Sequence, residues 1–333
     1  MSALDTSFSR ALGIEVPLVC GAMYPCSNPE LVAAVSAAGG IGVVQPISLT
    51  HVHGHDYREG LRLIRSLTDR PIGMNALIEK TVRAYEERMR QWVEIALEEG
   101  VRYFVTALGN PRWVVDLVHQ ENGLVYHDVT ARKWAEKARD AGVDGLVCVN
   151  SAAGGHAGEL SAAELMDACG DLGLPLLAAG GVGDGEAFAR TLALGYEGVQ
   201  CGTRFIATAE CRVHEDYTQA LLGAKAEDVV LTDKLSGTPC AVLRTPELER
   251  GGLQAGPLAR RMLRGRRTKH WMRAWYALRS LRSLRKASLA GSSYRNVFQA
   301  GKSVEAVRDV PPAAEVVERF ARAVDAHFSP ARA

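Results

Sequence analysis

A (β/α)8 barrel is the fold class this sequence predicts, on three observations. Short apolar runs rich in Val, Ile and Leu recur eight times; segments of helical periodicity lie between them; and glycines stand where those segments end. The runs cover 16–20, 41–45, 71–75, 103–106, 124–127, 145–149, 175–179 and 198–201. They are continuous rather than alternating, as expected of parallel strands covered on both faces. Helical spacing is read over 29–38, 57–67, 82–98, 132–141, 162–172 and 186–194, with a closing helix over 312–327. Gly39, Gly40, Gly100, Gly142, Gly173 and Gly195 follow these segments, where a left-handed residue closes a helix. A doubly wound open sheet is the alternative, but eight βα units in unbroken succession favour closure. The barrel core is expected over 1–235, with 236–333 a helical, basic C-terminal segment packed on it.

Composition narrows the function. The chain has 333 residues, 47% hydrophobic and 23% charged, enough for a large core, and its net charge of +1 speaks against whole-chain attraction to nucleic acid. Between Gly251 and Val304 there is no Asp or Glu, while Arg and Lys accumulate around Trp271, Trp275 and Tyr276. An RNA or membrane-surface contact would use such a segment. A solvated helical face near an anionic substrate, or between copies in a homo-oligomer, explains it more simply given the balanced total charge. The seven cysteines form no CxxC pair and no zinc-spaced cluster, as in a cytoplasmic protein with reduced thiols. The N-terminus has no secretory pattern, and no apolar run approaches the roughly 18 residues of a membrane span. A small-molecule substrate is therefore the expected partner.

In such barrels chemistry sits at the strands' carboxyl ends. There the sequence places Gly21-Ala22-Met23, Asn75, Thr106-Ala107, Asn150 with the loop SAAGGHAGE, Gly180-Gly181-Val182-Gly183, and Gly202-Thr203-Arg204. So many small residues suggest a flat ligand lying close to the backbone. The glycines after strands seven and eight stand where barrels cradle phosphate on backbone N–H groups. His156, flanked by glycines in the loop after strand six, is the candidate acid or base. His51, His53 and His55 lack a carboxylate or cysteine at ligand spacing, so no metal is assigned and a mobile loop explains them.

Together CGAM, GMN, AGGHAG, AAGGVGDG and GVQCGTRFIAT make the chain resemble the nitronate monooxygenase family over roughly 10–215. The resemblance implies a TIM barrel with noncovalent FMN. By motif, Gly21, Ala22, Met23 and Asn75 would line the isoalloxazine, and Gly180, Gly181, Gln200, Gly202 and Thr203 would hold the ribityl phosphate. Asp128, Gly154 and Cys201 complete the expected cofactor set, and His156 matches the family's catalytic histidine. Asp128 stands where relatives often carry lysine, Val149 where the founding class has glutamine, and Ala152 where a glutamate is common. The implied reaction is FMN-dependent oxidation of nitronates or nitroalkanes by O2, giving a carbonyl compound and nitrite. The alternative is NAD(P)H-dependent reduction of quinones or enoyl thioesters.

Overall fold

Eight strands pair in chain order as parallel neighbours. They are β1 (Leu18–Cys20), β2 (Ile41–Val44), β3 (Gly73–Ile78), β4 (Tyr103–Leu108), β5 (Leu124–Val129), β6 (Gly145–Val149), β7 (Leu176–Ala179) and β8 (Gly198–Cys201). β8 closes the barrel on β1 in the register Leu18↔Val199, Val19↔Gln200 and Cys20↔Cys201. This computed structural model describes residues 2–79, 83–233, 239–244 and 298–329. Most of the expected basic helical segment, including 257–286, lies outside them.

The expected strands all form, with shifted ends: β3, β4 and β5 run further than expected, to Ile78, Leu108 and Val129. The helices of the wall are α2 (Pro29–Ala37), α3 (Tyr57–Leu67), α4 (Arg83–Glu98), α5 (Arg112–Gln120), α6 (Arg132–Asp140), α7 (Ala162–Cys169) and α8 (Gly185–Ala193). They are preceded by α1 (Ser7–Leu12) and followed by α9 (Thr203–Ile206), α10 (Glu215–Gly223) and α11 (Ala313–Phe328). α3 shows why these segments are helical. The Asp56 carboxylate accepts from the N–H groups of Arg58 and Glu59, while Tyr57, Gly60, Leu61 and Ile64 form one buried stripe, with Gly60 against Leu49 and Tyr57 against Trp92. Gly39, Gly100, Gly142, Gly173 and Gly195 all have positive φ, so the expected stops are present. In the histidine-rich stretch His51 lies in a π-helical turn, Ser48–Val52, and His53 and His55 follow it in irregular chain.

Alternation divides each strand between two cores. Val19, Ile41, Val43, Tyr103, Val105, Tyr126, Val147, Leu177 and Ala179 face the barrel interior, while Leu18, Val44, Phe104, Val125, Leu146 and Val199 pack on the helices. The amino end of the barrel is plugged by α1. Its Phe8 is fully buried, with its ring 5.6 Å from Tyr103 and 5.3 Å from Tyr126. Thr6 and Ser9 cap α1 reciprocally, and the Thr6 hydroxyl donates to the Glu197 carbonyl at 2.8 Å, fixing the plug to the β7–β8 side. With one end stopped by aromatic side chains, a ligand has access only from the other.

The chain returns to the barrel at its C-terminal end. α11 lies on α8, where Phe320 meets Phe188 at 5.6 Å and a Cβ on Gly185 would sit 2.5 Å from the Ala323 Cβ. A second tie runs through Arg204, 4% exposed, which donates to the carbonyls of Ala207 (2.7 Å) and Asp309 (2.8 Å) and to the Asp309 carboxylate (3.2 Å). The arginine of the GTRF motif is thus turned into the wall. Removing it leaves buried acceptors unpaired, so Arg204→Ala is expected to lower stability by about 3 kcal/mol, measured by urea denaturation.

Candidate active site at the carboxyl end of the barrel

Where the aromatic interior ends, the inward-facing positions turn polar. By alternation Asn75 on β3, Asp128 on β5 and Gln200 on β8 point inward, among Val149 and Ala179 on β6 and β7. Asn75 is 7% exposed and donates to the Val105 carbonyl at 3.3 Å. It sits within β3 rather than at its end. The Gln200 chain folds across Gly21, whose Cβ, if present, would lie 2.8 Å from Gln200 Cγ. The Gly21 N–H donates to the Cys201 carbonyl at 2.9 Å, so β1 and β8 stay paired up to the rim. Gln200 Oε1 and Asp128 Oδ1 are both buried and have no hydrogen-bond partner among the described residues. Burial pushes the Asp128 carboxyl up to about 7. No inward-facing strand side chain is a lysine or arginine.

The loops after β6 and β7 interlock above this floor. Asn150 donates from Nδ2 to the Gly180 carbonyl (2.9 Å) and accepts at Oδ1 from the Ala152 N–H (2.8 Å). Gly180 (φ 115°) and Gly181 (φ 80°) carry the β7 loop past it. A Cβ on Gly180 would stand 2.4 Å from Asn150 Oδ1 and 2.5 Å from the Ala153 nitrogen, so only glycine fits. On the β8 side, Gly202 lies beside Met23, whose Sδ is 3.3 Å from where a Cβ would be, and the Met23 N–H donates to the Ser27 hydroxyl. Ala22 packs on the interior core at the β1 rim.

The returning chain completes the wall. The Gly301 N–H donates to the Thr203 hydroxyl at 2.9 Å and the Lys302 N–H to the Ala152 carbonyl at 2.8 Å. Gly154 meets the backbone of Ala300 and Gly301, with Gly301 N 2.8 Å from its hypothetical Cβ. Its need for glycine thus comes from that chain crossing. The neighbouring Gly155 exchanges hydrogen bonds with Ala241 (3.3 and 2.7 Å). Ala241 belongs to β10 (Cys240–Leu243), the antiparallel partner of β9 (Val229–Thr232), and Val242 in turn bridges Gln299. His156, the next residue, is exposed at the mouth. The loop that carries it is therefore held on both sides by residues 85 or more positions further along the chain.

Two expected neighbours of the site face elsewhere. Cys201 points into the helix-facing core, its thiol 3.4 Å from the Val182 carbonyl, because Gln200 takes the inward position of β8. Thr106 faces outward as well. It donates to the Tyr126 carbonyl (3.1 Å) and accepts from His127 Nδ1–H (2.8 Å). Burial holds His127 down at about 4, so it is neutral near neutral pH. Because its value in the unfolded chain is near 6.5, the stability tied to neutral His127 is complete above that pH and lost as pH falls toward 4. We expect a loss of about 3 kcal/mol over that window, largely removed in His127→Asn, on pH-dependent denaturation.

Among the described residues no three His, Cys, Asp or Glu side chains are grouped to hold a metal ion. A shallow depression of about 370 Å³ lined by Ala37, Arg65 and Thr68 lies at the helix-to-strand end, away from the polar floor. No helix among the described residues is long and apolar enough to cross a membrane.

Comparison with known proteins places this barrel. A dehydrogenase of Mycobacterium tuberculosis, named for (3aS,4S,5R,7aS)-5-hydroxy-7a-methyl-1-oxo-octahydro-1H-indene-4-carboxyl-CoA, is 30% identical over 77% of this chain and 70% of its own. A nitronate monooxygenase of Pseudomonas aeruginosa is 30% identical over 69% of this chain and 77% of its own. Among solved structures, FabK from Thermotoga maritima superposes with a TM-score of 0.79 and 28% identity, covering 96% of both chains. The nitroalkane oxidase of Streptomyces ansochromogenes, at 0.75 and 21%, shares the fold. The model of one family, nitronate monooxygenase, matches residues 6–322, so the chain belongs to that family and is an oxidoreductase, for which the family implies a flavin and a small-molecule substrate.

Proposed function

We propose that the chain is an FMN-dependent oxidoreductase that converts alkyl nitronates or nitroalkanes, with O2, to carbonyl compounds and nitrite. The observation that carries this reading is the exposed His156 on a tied-down loop beside a glycine-lined polar floor, in a chain matched to the family over nearly its whole length. The residues present suit a flavin. Two buried polar atoms, Gln200 Oε1 and Asp128 Oδ1, await partners. Gly21, Gly180, Gly181 and Gly202 bring backbone to the rim with no side chain of their own, and Gln200, Asn150, Ala152 and Met23 lie against them. In this reading Gly21, Ala22, Met23, Asn75 and Asp128 take the ring, Gly180, Gly181, Gly202 and Thr203 take the phosphate, and Gln200, expected with the phosphate, joins the ring because it points inward on β8 beside Gly21. Gly154 and Cys201 contribute through the backbone.

Bound there, FMN supplies the electron acceptor. The protein's own part is acid–base and positional. With a neutral nitroalkane, His156 removes the α proton as general base. With a preformed nitronate it donates a hydrogen bond to the anionic nitro oxygens. The glycine-lined rim lets the substrate approach the ring, and the aromatic plug at the far end keeps solvent from entering beneath it. All seven cysteines are free and buried, which fits the reducing cytoplasm where we place the protein.

A second reading has its own support. The inward floor offers amides and a carboxyl but no lysine or arginine, which suits a neutral carbonyl better than an anion. A relative of 30% identity is named as a dehydrogenase of a CoA thioester. The chain would then exchange electrons with an acyl thioester, with NAD(P)H as the other partner. One experiment separates them. The purified protein is mixed without air with propionate 3-nitronate and, separately, with NADH or NADPH. Loss of the yellow colour with the nitronate alone is expected. Bleaching by NAD(P)H alone would move the assignment to the thioester reading, and a colourless protein that FMN cannot load would overturn both.

A further inference from the structure

The carboxyl of Asp128 is the least expected group in the barrel. It points inward near the end of β5, and its Oδ1 is buried and unpartnered among the described residues. Its register partner on β6 is Val147, and the inward positions around it are Tyr126 on its own strand, Val105 and Tyr103 on β4, and Val149 on β6. Further round the ring, the polar groups are the neutral amides of Asn75 and Gln200. Among the described residues neither a cation nor a donor compensates the lost hydration of Oδ1, so the charge of the carboxyl depends on what occupies the floor.

We propose that Asp128 is a proton-exchanging residue of the site, taking up one proton when two electrons enter the bound flavin and releasing it when they leave. The inference rests on the FMN reading above and gives Asp128 a role beyond contact. Its balance is simple. Two-electron reduction of the ring at neutral pH takes up one proton on the ring and leaves a net negative charge there. A second proton, drawn from solvent onto Asp128, would remove the like charge of the carboxylate from the same site. In the reverse direction the carboxyl returns that proton as the ring gives up its electrons to the oxidant.

Among the described residues, the titratable groups packed around Asp128 do not change charge near neutral pH. Tyr103 from β4 and Tyr126 from β5 are both pushed up by burial and stay neutral. Cys148 on β6, which faces the opposite side of the sheet but senses Asp128, is also raised, first by the neighbouring Cys169 and then by burial. His127 on β5 faces outward and is neutral. The carboxyl itself, raised to about 7 by burial, is partly charged at neutral pH before any electron arrives, and can therefore accept a proton.

The test is the midpoint potential of the flavin-loaded protein, measured against pH by dye equilibration from about pH 6 to 9. Over the window in which Asp128 is charged with oxidised flavin and protonated with reduced flavin, the potential should fall with pH about twice as steeply as in Asp128→Asn, reflecting two protons per two electrons rather than one. Equal slopes in the two proteins would overturn the inference while leaving FMN binding intact. Failure of the wild-type chain to hold FMN would instead remove the cofactor reading beneath it. Should Asp128→Asn not fold, the wild-type protein still decides. The infrared difference spectrum between reduced and oxidised forms must gain a protonated-carboxyl band with reduction, and its absence counts against the proposal.

Discussion

Gly180→Ala is expected to destabilise the protein by about 3–5 kcal/mol and to leave it colourless after purification. Two penalties combine. The residue has φ 115°, which an L side chain rarely adopts, and its Cβ would overlap Asn150 Oδ1 at 2.4 Å and the Ala153 nitrogen at 2.5 Å. Neither neighbour is free to retreat. Asn150 is held by the Gly180 carbonyl and the Ala152 N–H, and Ala153 donates to the Asn150 carbonyl at 3.2 Å. Gly155→Ala is the internal control. That glycine also has positive φ (69°), but nothing lies within 4 Å of its Cβ position, so strain alone should cost about 1 kcal/mol. Denaturant curves on the flavin-free proteins and the visible spectra of both variants would check the pair. Equal stability for Gly180→Ala and Gly155→Ala would mean that the two loops part freely, and the interlocked rim would no longer support the proposed phosphate site.

His156→Ala is the second large expectation. Turnover should fall by about 10²–10⁴, the usual range for removing a general acid–base, while flavin content stays at the wild-type level. The flavin clause follows from geometry. His156 is exposed, and its loop is positioned by the backbone of Gly155 against Ala241 and of Ala152 against Lys302, none of which needs the imidazole. Steady-state kinetics with a neutral nitroalkane, whose α proton must be removed, and the flavin-to-protein absorbance ratio provide the two readouts. A variant that loses flavin and activity together would make His156 a cofactor ligand instead.

Much of the architecture could be read from pattern because a parallel barrel writes each strand as a buried apolar run. The strands run from β1 through β8, while their register is a property of the folded barrel that the apolar runs do not carry. α5 is absent from the periodicity reading because its buried positions, Val114, Val115 and Val118, span barely one turn. α1 is shorter still, and its importance lies in the single side chain of Phe8, which no period announces. At the site, alternation makes Gln200 an inward residue and turns the Cys201 thiol outward, a distinction that motif matching blurs. Gly154 shows the limit in another way. Its smallness serves a crossing with Gly301, 147 positions away, and only the folded chain brings those two together.

That crossing also orders events during synthesis. Thr203 and Ala152 receive Gly301 and Lys302, so the pocket wall is finished by a stretch that is translated after all eight strands. While a ribosome still shelters residues 298–306, the nascent barrel can close β1 on β8 and Gly155 can pair with Ala241, but Ala152 and Gly154 lack the contacts with Lys302 and Gly301 that finish the wall. Cofactor capture would then be one of the last steps of maturation. A cell would load this enzyme only after it had committed to making the whole chain, and nascent fragments released early would carry no redox chemistry.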